Sequence, residues 1–154
     1  MNIIIFPIKK AFIILFLFFF SLIQLIRGIT MKILVTALSK IARKMVIKTL
    51  NENITDNLEI FEAQNGQEAL DLYKKLSPRL VFLDLTMPIM DGFEALEKIK
   101  EYNKDAKVVI ISADIQKHSM DKVLQLGAFD FIKKPIDSIK MKQIFKKINN
   151  IGEI

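Results

Sequence analysis

Asp84, Ser112 and Lys134 are the residues of this chain whose types and surroundings suit phosphoryl chemistry. Asp84 follows the apolar run Leu80-Val81-Phe82-Leu83, in a stretch bounded by Pro78 and Pro88. Ser112 follows Val108-Val109-Ile110-Ile111, and Lys134 follows Phe129–Lys133 and precedes Pro135. Short apolar runs of this kind read as strands buried on both faces, as in parallel sheets. Such sheets place their ligand crevice outside the carboxyl ends of the strands. A carboxylate nucleophile gathered there with a hydroxyl and an ammonium can meet a phosphoryl group, the last two taking its oxygens. Any one of these residues at a strand end is ordinarily a cap or a solvent contact. The weight lies in three ends together.

The elements that must bring them together alternate along the chain from Met31. Strands are expected at Ile33–Thr36, Leu58–Ala63, Leu80–Asp84, Lys107–Ser112 and Phe129–Lys133. Between and after them run helices. The first is capped by Ser39, carries Ile41, Met45 and Leu50 among its apolar positions, and ends near Asn51. The others are Gly66–Leu76, Phe93–Tyr102 entered through Asp91-Gly92, Gln116–Leu126 stopped by Gly127, and Asp137–Asn149. In the last helix Ile139, Ile144, Phe145 and Ile148 are expected inward, and Lys140, Lys142, Lys146 and Lys147 outward as a solvated basic face. Strand–helix alternation predicts an α/β fold, a doubly wound five-stranded parallel sheet with helices on both faces, because each crossover is a right-handed βαβ unit.

Composition excludes several function classes. The chain has no cysteine, so disulfide scaffolds and Cys metal sites are out, and its one histidine, His118, rules out multi-His sites. His118 is expected at an exposed helix start. The net charge is +6 over 154 residues. Lys9, Lys10 and Arg27 precede Met31 with no acid beside them, which leaves 20 basic against 17 acidic groups after it. No basic stripe with interleaved aromatics appears, so direct nucleic-acid binding is not expected. A flavodoxin-like enzyme is disfavoured too, since Ala37-Leu38-Ser39 stands where a Gly-rich phosphate loop would follow the first strand.

Residues 1–30 differ from the rest. From Ala11 to Ile26 only Ser21 and Gln24 are polar, with Lys9-Lys10 before and Arg27 after. These sixteen residues fall short of the ~20 that a full membrane span wants. Three readings stand: a start assigned upstream of the true one at Met31, a membrane anchor, or a cleaved signal. The last lacks a small-x-small cleavage site. If the segment inserts, the basic residues from Arg27 to Lys44 favour a cytoplasmic C-terminal domain.

Residues 31–150 resemble the response-regulator receiver domain, of the chemotaxis-response-regulator type. The resemblance rests on Leu83-Asp84-Leu85-Thr86-Met87-Pro88-Ile89-Met90-Asp91-Gly92, on Ile111-Ser112-Ala113, and on Gly127-Ala128-Phe129-Asp130-Phe131-Ile132-Lys133-Lys134-Pro135. It implies that Asp84 is the phosphoacceptor, that Thr86 offers a backbone carbonyl to Mg²⁺ bound with Asp84, and that Ser112 and Lys134 bind the phosphoryl group. Phe131 is implied to turn inward when the Ser112 switch engages. The implied partners are a histidine kinase or phosphotransfer protein and a downstream target, the latter meeting the Gln116–Ile144 face.

One departure is plain. The family carries two adjacent acids directly before the residue matching Ser39, and here those positions hold Ala37 and Leu38. Mg²⁺ wants hard oxygen ligands, and Leu38 is expected to strip water from the place of the ion. The expected function is therefore a receiver in two-component phosphorelay signalling that acts through protein contacts, with Asp84 phosphorylation weak or lost. The alternative is a fully phosphorylatable receiver using Mg²⁺, with Glu62 or Thr36 helping to recruit it. Either way the chain is not an enzyme beyond self-phosphorylation and dephosphorylation at Asp84, and with no effector after residue 150 its output passes through another protein. It is expected in the cytoplasm or, with an anchor, tethered to the inner membrane with the receiver in the cytoplasm.

Overall fold

The structure, a computed structural model, describes residues 13–19, 30–113 and 116–151. Two units divide the chain, Met1–Thr30 and Met31–Ile154. In the first, residues 13–19 are helical and exposed. The remainder of the apolar leader lies outside the described residues. Among the described residues no helix is long and apolar enough to cross a membrane.

In the second unit strands and helices alternate: β1 (Met31–Thr36), α1 (Lys40–Asn53), β2 (Leu58–Ala63), α2 (Gly66–Leu76), β3 (Leu80–Asp84), α3 (Gly92–Tyr102), β4 (Val108–Ser112), α4 (Lys117–Gln125), β5 (Asp130–Lys133) and α5 (Ser138–Ile151). All four ladders are parallel, and the strand order is β2-β1-β3-β4-β5. That is the flavodoxin-like doubly wound order, as the alternation predicts. The helices start where polar caps stand. Ser39, Asn65 and Asp91 accept the backbone N–H of Ala42, Glu68 and Glu94, each satisfying an otherwise orphaned donor.

Strand side chains point alternately to the two sheet faces, and the core splits accordingly. Leu34, Val81, Leu83, Val108 and Ile110 pack under α2, α3 and α4, against Leu70, Tyr73, Leu96, Ile99 and Val123. Ile33, Val35, Phe82, Val109 and Ile111 pack under α1 and α5, against Val46, Leu50, Met141, Ile144 and Ile148. Because β3 and β4 are buried on both faces, both read as continuous apolar runs.

Some expectations need correcting. Ile139 is exposed, because the inward stripe of α5 is Met141, Ile144, Phe145 and Ile148, which leaves Ile139 off its phase. In α1, Ile41 and Met45 are exposed while Val46 and Leu50 are buried. Two lysines of α5 do not form part of a free basic face. Lys140 Nζ lies 2.8 Å and Lys147 Nζ 2.6 Å from the carboxylate oxygens of Asp130, which is buried at the start of β5. Lys142 and Lys146 are exposed as expected, and so is His118.

Burial pushes the Asp130 carboxyl up, but hydrogen bonds from Lys140, Lys147 and the Phe131 N–H outweigh it and hold the group below its ordinary value of 3.8. A carboxyl lowered on folding contributes stability above its unfolded value, and that contribution is lost as pH falls through the folded one. Asp130→Asn should therefore cost about 0.5–1.5 kcal/mol at neutral pH, since it removes the charge that two partly exposed lysines meet and leaves them one carbonyl oxygen. In urea unfolding the difference from wild type should shrink as the pH is lowered to about 3. A difference that holds constant over that range would show the pairing to be energetically idle.

Candidate functional site

The carboxyl ends of β1, β3, β4 and β5 converge on one edge of the sheet. Asp84 closes β3, is 8% exposed, and lies opposite Ile111 in the β3–β4 register. Its Oδ2 accepts a hydrogen bond from Lys134 Nζ at 2.5 Å, and its Oδ1 accepts one from the Thr86 N–H at 3.3 Å. Ser112, the last residue of β4, is buried and pairs with Lys133 in register. One residue on, the Lys134 N–H donates to the Ser112 carbonyl at 2.9 Å, and the Lys134–Pro135 peptide is cis. The sheet thus brings together the three residues singled out for phosphoryl chemistry. Lys134 stands just past β5 rather than within it. Thr86 is exposed beside Asp84, and Phe131 is half-buried against the α2–α4 side of the core.

Gly92 sets how closely the following segment returns to Asp84. Its N–H donates to the Leu85 carbonyl, and a Cβ at this position would lie 2.2 Å from the Asp84 carbonyl oxygen and 2.6 Å from Leu85 Cα. Only a residue without a side chain lets α3 begin so near β3.

At the end of β1 the acid positions look different. Ala37 is buried and Leu38 is 55% exposed. The Leu38 side chain is thus half open to solvent. Arg43, only 6% exposed, fills the space behind. Its Nη1 donates to the carbonyls of Ala37 at 2.8 Å and Leu38 at 3.1 Å, and its Nε donates to Glu62 Oε2 at 2.6 Å. Glu62, a candidate metal helper, is thus bound to a guanidinium, and it stands two strands from β3, ~10 Å at ordinary strand spacing. The Thr36 hydroxyl is buried and has no hydrogen-bond partner. Arg43 was not singled out from sequence, though a signal exists: Arg43, Val46 and Leu50 follow helical spacing and all three are buried, so an Arg there falls on the apolar stripe of α1 and requires a buried partner.

A Mg²⁺ ion favours several hard oxygens in octahedral geometry. Asp84 is the sole carboxylate of the matched cluster, and both its oxygens already accept hydrogen bonds. The backbone oxygens of Ala37 and Leu38 face a cation. Among the described residues no group of three or more His, Cys, Asp or Glu is placed to hold a metal.

Gly92→Ala should destabilise the domain by roughly 2–4 kcal/mol, because backbone rather than a flexible side chain must yield. Urea unfolding measures this, and amide shifts of Asp84 and Leu85 report the local displacement. A loss below about 0.5 kcal/mol, the range of an ordinary surface change, would show that the close approach is not required.

Residues 33–146 match the response regulator receiver domain family. The chemotaxis protein CheY of Bacillus subtilis (strain 168) is 40% identical over 91 residues, which cover 59% of this chain and 76% of CheY. CheY of Treponema pallidum (strain Nichols) is 45% identical over 91 residues, covering 58% of this chain and 61% of that protein. Among solved structures, the CheX-CheY-BeF3-Mg+2 complex from Borrelia burgdorferi is similar at a TM-score of 0.70 and 31% identity, covering 77% of this chain and 88% of that one.

Proposed function

Because the chain belongs to the response regulator receiver domain family, we propose that residues 31–150 act as a receiver in two-component phosphorelay signalling and pass on their state by protein contact, with phosphorylation of Asp84 weak or lost. The observation that carries this reading is the electrostatic company of Asp84. One cation, Lys134, lies against it, and the two positions where the family carries acids hold Ala37 and Leu38.

An incoming phosphoryl group brings negative charge to a carboxylate. Two unit charges about 4 Å apart repel by roughly 4 kcal/mol at an effective dielectric of about 20. Lys134 offsets one such charge, and each further unit left uncompensated slows transfer by about three powers of ten. In this reading Asp84 is the acceptor in outline, Lys134 and Ser112 are the groups that meet the phosphoryl oxygens, and Phe131 is the aromatic that responds to Ser112. A histidine kinase or phosphotransfer protein stands upstream in the cytoplasm, and a protein target meets the Gln116–Ile144 face. The receiver does no chemistry on other substrates. Its two states are then set chiefly by partner binding, as a population shift.

A second reading, full phosphorylation of Asp84 with Mg²⁺, is favoured by the arrangement of Asp84, Ser112 and Lys134 at one sheet edge. The two part in a single experiment. Wild type, Asp84→Asn and the double variant Ala37→Asp/Leu38→Asp are incubated with acetyl phosphate and Mg²⁺, and aspartyl phosphate is followed by intact mass. The double variant should react at least about tenfold faster than wild type, a modest share of the barrier difference estimated above, and Asp84→Asn should not react. Equal rates for wild type and the double variant would establish the second reading.

A further inference from the structure

The charges of this domain are divided by sheet face. α1 and α5, which pack on one face, carry four basic residues each against the single acid Glu52. α2, α3 and α4, on the other, carry six basic and six acidic residues. Arg43 is buried with Glu62, Lys140 and Lys147 hold Asp130, and Lys48 lies 3.8 Å from Glu52. Lys40, Lys44, Lys142 and Lys146 are exposed. Soluble surfaces ordinarily intersperse both signs, and here one face does not.

The outward sides of the two helices repeat one pattern. Ile41, Lys44 and Lys48 stand at i, i+3 and i+7 in α1, and Ile139, Lys142 and Lys146 do so in α5. Each row lies opposite a buried stripe, Val46 and Leu50 in the one helix, Met141, Ile144 and Ile148 in the other. Ile41 is 72% and Ile139 66% exposed, and Met45 stands one turn on from Ile41, half open to solvent. Both helices return from parallel strands onto the same sheet face and touch one another. The rows therefore run side by side in one direction, each about 10 Å long at 1.5 Å per residue. One exposed isoleucine needs no explanation. Two at matching places, each followed by two lysines, form a patch in which apolar and basic groups alternate.

We infer that the outward face of α1 and α5 is a contact surface for a bilayer of anionic phospholipid. The lysine ammonium groups meet lipid phosphates while their stems lie along the apolar boundary, and Ile41, Met45 and Ile139 enter that boundary. Each lysine near an anionic surface is worth a factor of about five in binding, so four amount to several hundredfold, and salt screens the effect. A nucleic acid would use the lysines and leave the isoleucines in water, and Phe145, the one aromatic of the two helices, is buried and cannot stack on a base. A protein partner would need an apolar pocket for each isoleucine and an acid for each lysine in one fixed geometry, whereas a lipid surface adapts to the pattern. The segment Ala11–Ile26, apolar with basic flanks, has the same chemistry, and its residues 13–19 are helical and exposed. A leader held in lipid would keep the domain at the surface, where a weak contact of this face suffices. Nothing in the inference rests on the state of Asp84, so it and the proposed function can fail separately.

The chain has no cysteine, so one introduced thiol carries one label. Gln143→Cys, exposed in α5, and Glu97→Cys, exposed in α3 on the other sheet face, are each labelled in the full-length protein with an environment-sensitive nitrobenzoxadiazole dye. Vesicles are phosphatidylcholine alone or with about one third phosphatidylglycerol. With the anionic vesicles a saturable rise in emission, quenched by acyl-brominated lipid, is expected at position 143. None is expected at position 97 or with phosphatidylcholine alone. Reading the label rather than vesicle flotation separates this face from the leader. Salt at about 0.5 M should weaken the response at least about tenfold. Lys44→Gln/Lys142→Gln/Lys146→Gln should do the same, as should Ile41→Ser/Ile139→Ser. All five positions are exposed, and circular dichroism checks the fold. No rise at position 143, an equal rise at 97 or with neutral vesicles, or a smaller effect of salt or of the lysine changes would each overturn the assignment. Loss in the lysine variant without loss in the isoleucine variant would mark a purely electrostatic face, of the kind an acidic protein meets, and would overturn it as well.

Discussion

A carboxylate sealed at the end of a strand needs a cation in contact with it, and the rest of this sheet edge follows from meeting that need for Asp84. All five residues of β3 are buried, so the charge has almost no access to water, and a buried charge without a partner is among the most destabilising features a fold can carry. Lys134 answers from the end of β5, two strands over in the sheet order. Its reach depends on backbone features: the Ser112 carbonyl that holds the Lys134 N–H, the parallel register that places Lys133 opposite Ser112, and the turn into Pro135. Gly92 works from the other side by letting the chain after β3 fold back without pushing the strand end away. The site is therefore a property of the sheet edge and not of any one loop.

Across β1 the same edge is organised around a guanidinium. Arg43 reaches from the first turns of α1 back to the carbonyls that follow β1 and pairs with Glu62 on β2. This network fastens the β1–α1 turn to the sheet without any carboxylate at positions 37 and 38. Arg suits the task because its planar fork serves several acceptors at once while keeping its charge. The two halves of the edge thus each pair their own charges, Asp84 with Lys134 and Glu62 with Arg43.

Much of this was legible from residue types. The bounds of β2, α2 and β3 follow directly from caps, turn residues and apolar runs, because there the local signals and the tertiary contacts agree. The convergence of Asp84, Ser112 and Lys134 was legible as well, since parallel topology carries strand ends to one edge whatever the side chains between. What escaped depended on pairing between distant segments. Lys140 and Lys147 look like a solvated face until Asp130 is found beneath them, and Asp130 itself shares the inward phase of Ile132 in β5. Ile139 belongs by composition to the core of α5 but by phase to the surface. Arg43 could have been suspected from its place on an apolar stripe, yet its partner on β2 could not be named from helix periodicity. Leu38 was expected to strip water from the place of an ion, yet it is 55% exposed, since apolar residues are not confined to the interior.

The residues at the end of β1 bear on the charge balance of this edge. A divalent cation is held by several carboxylates whose mutual repulsion it offsets, and such a cluster keeps water about it. Remove the acids beside β1 and the repulsion goes with them, leaving the single carboxylate to be neutralised by one lysine. The cleft next to that pair is lined by Ala42, Met45, Val46 and Pro135 together with Asp84 and Lys134 themselves. Ala37 and Leu38 add no charge to that edge, so its balance rests on Asp84 and Lys134.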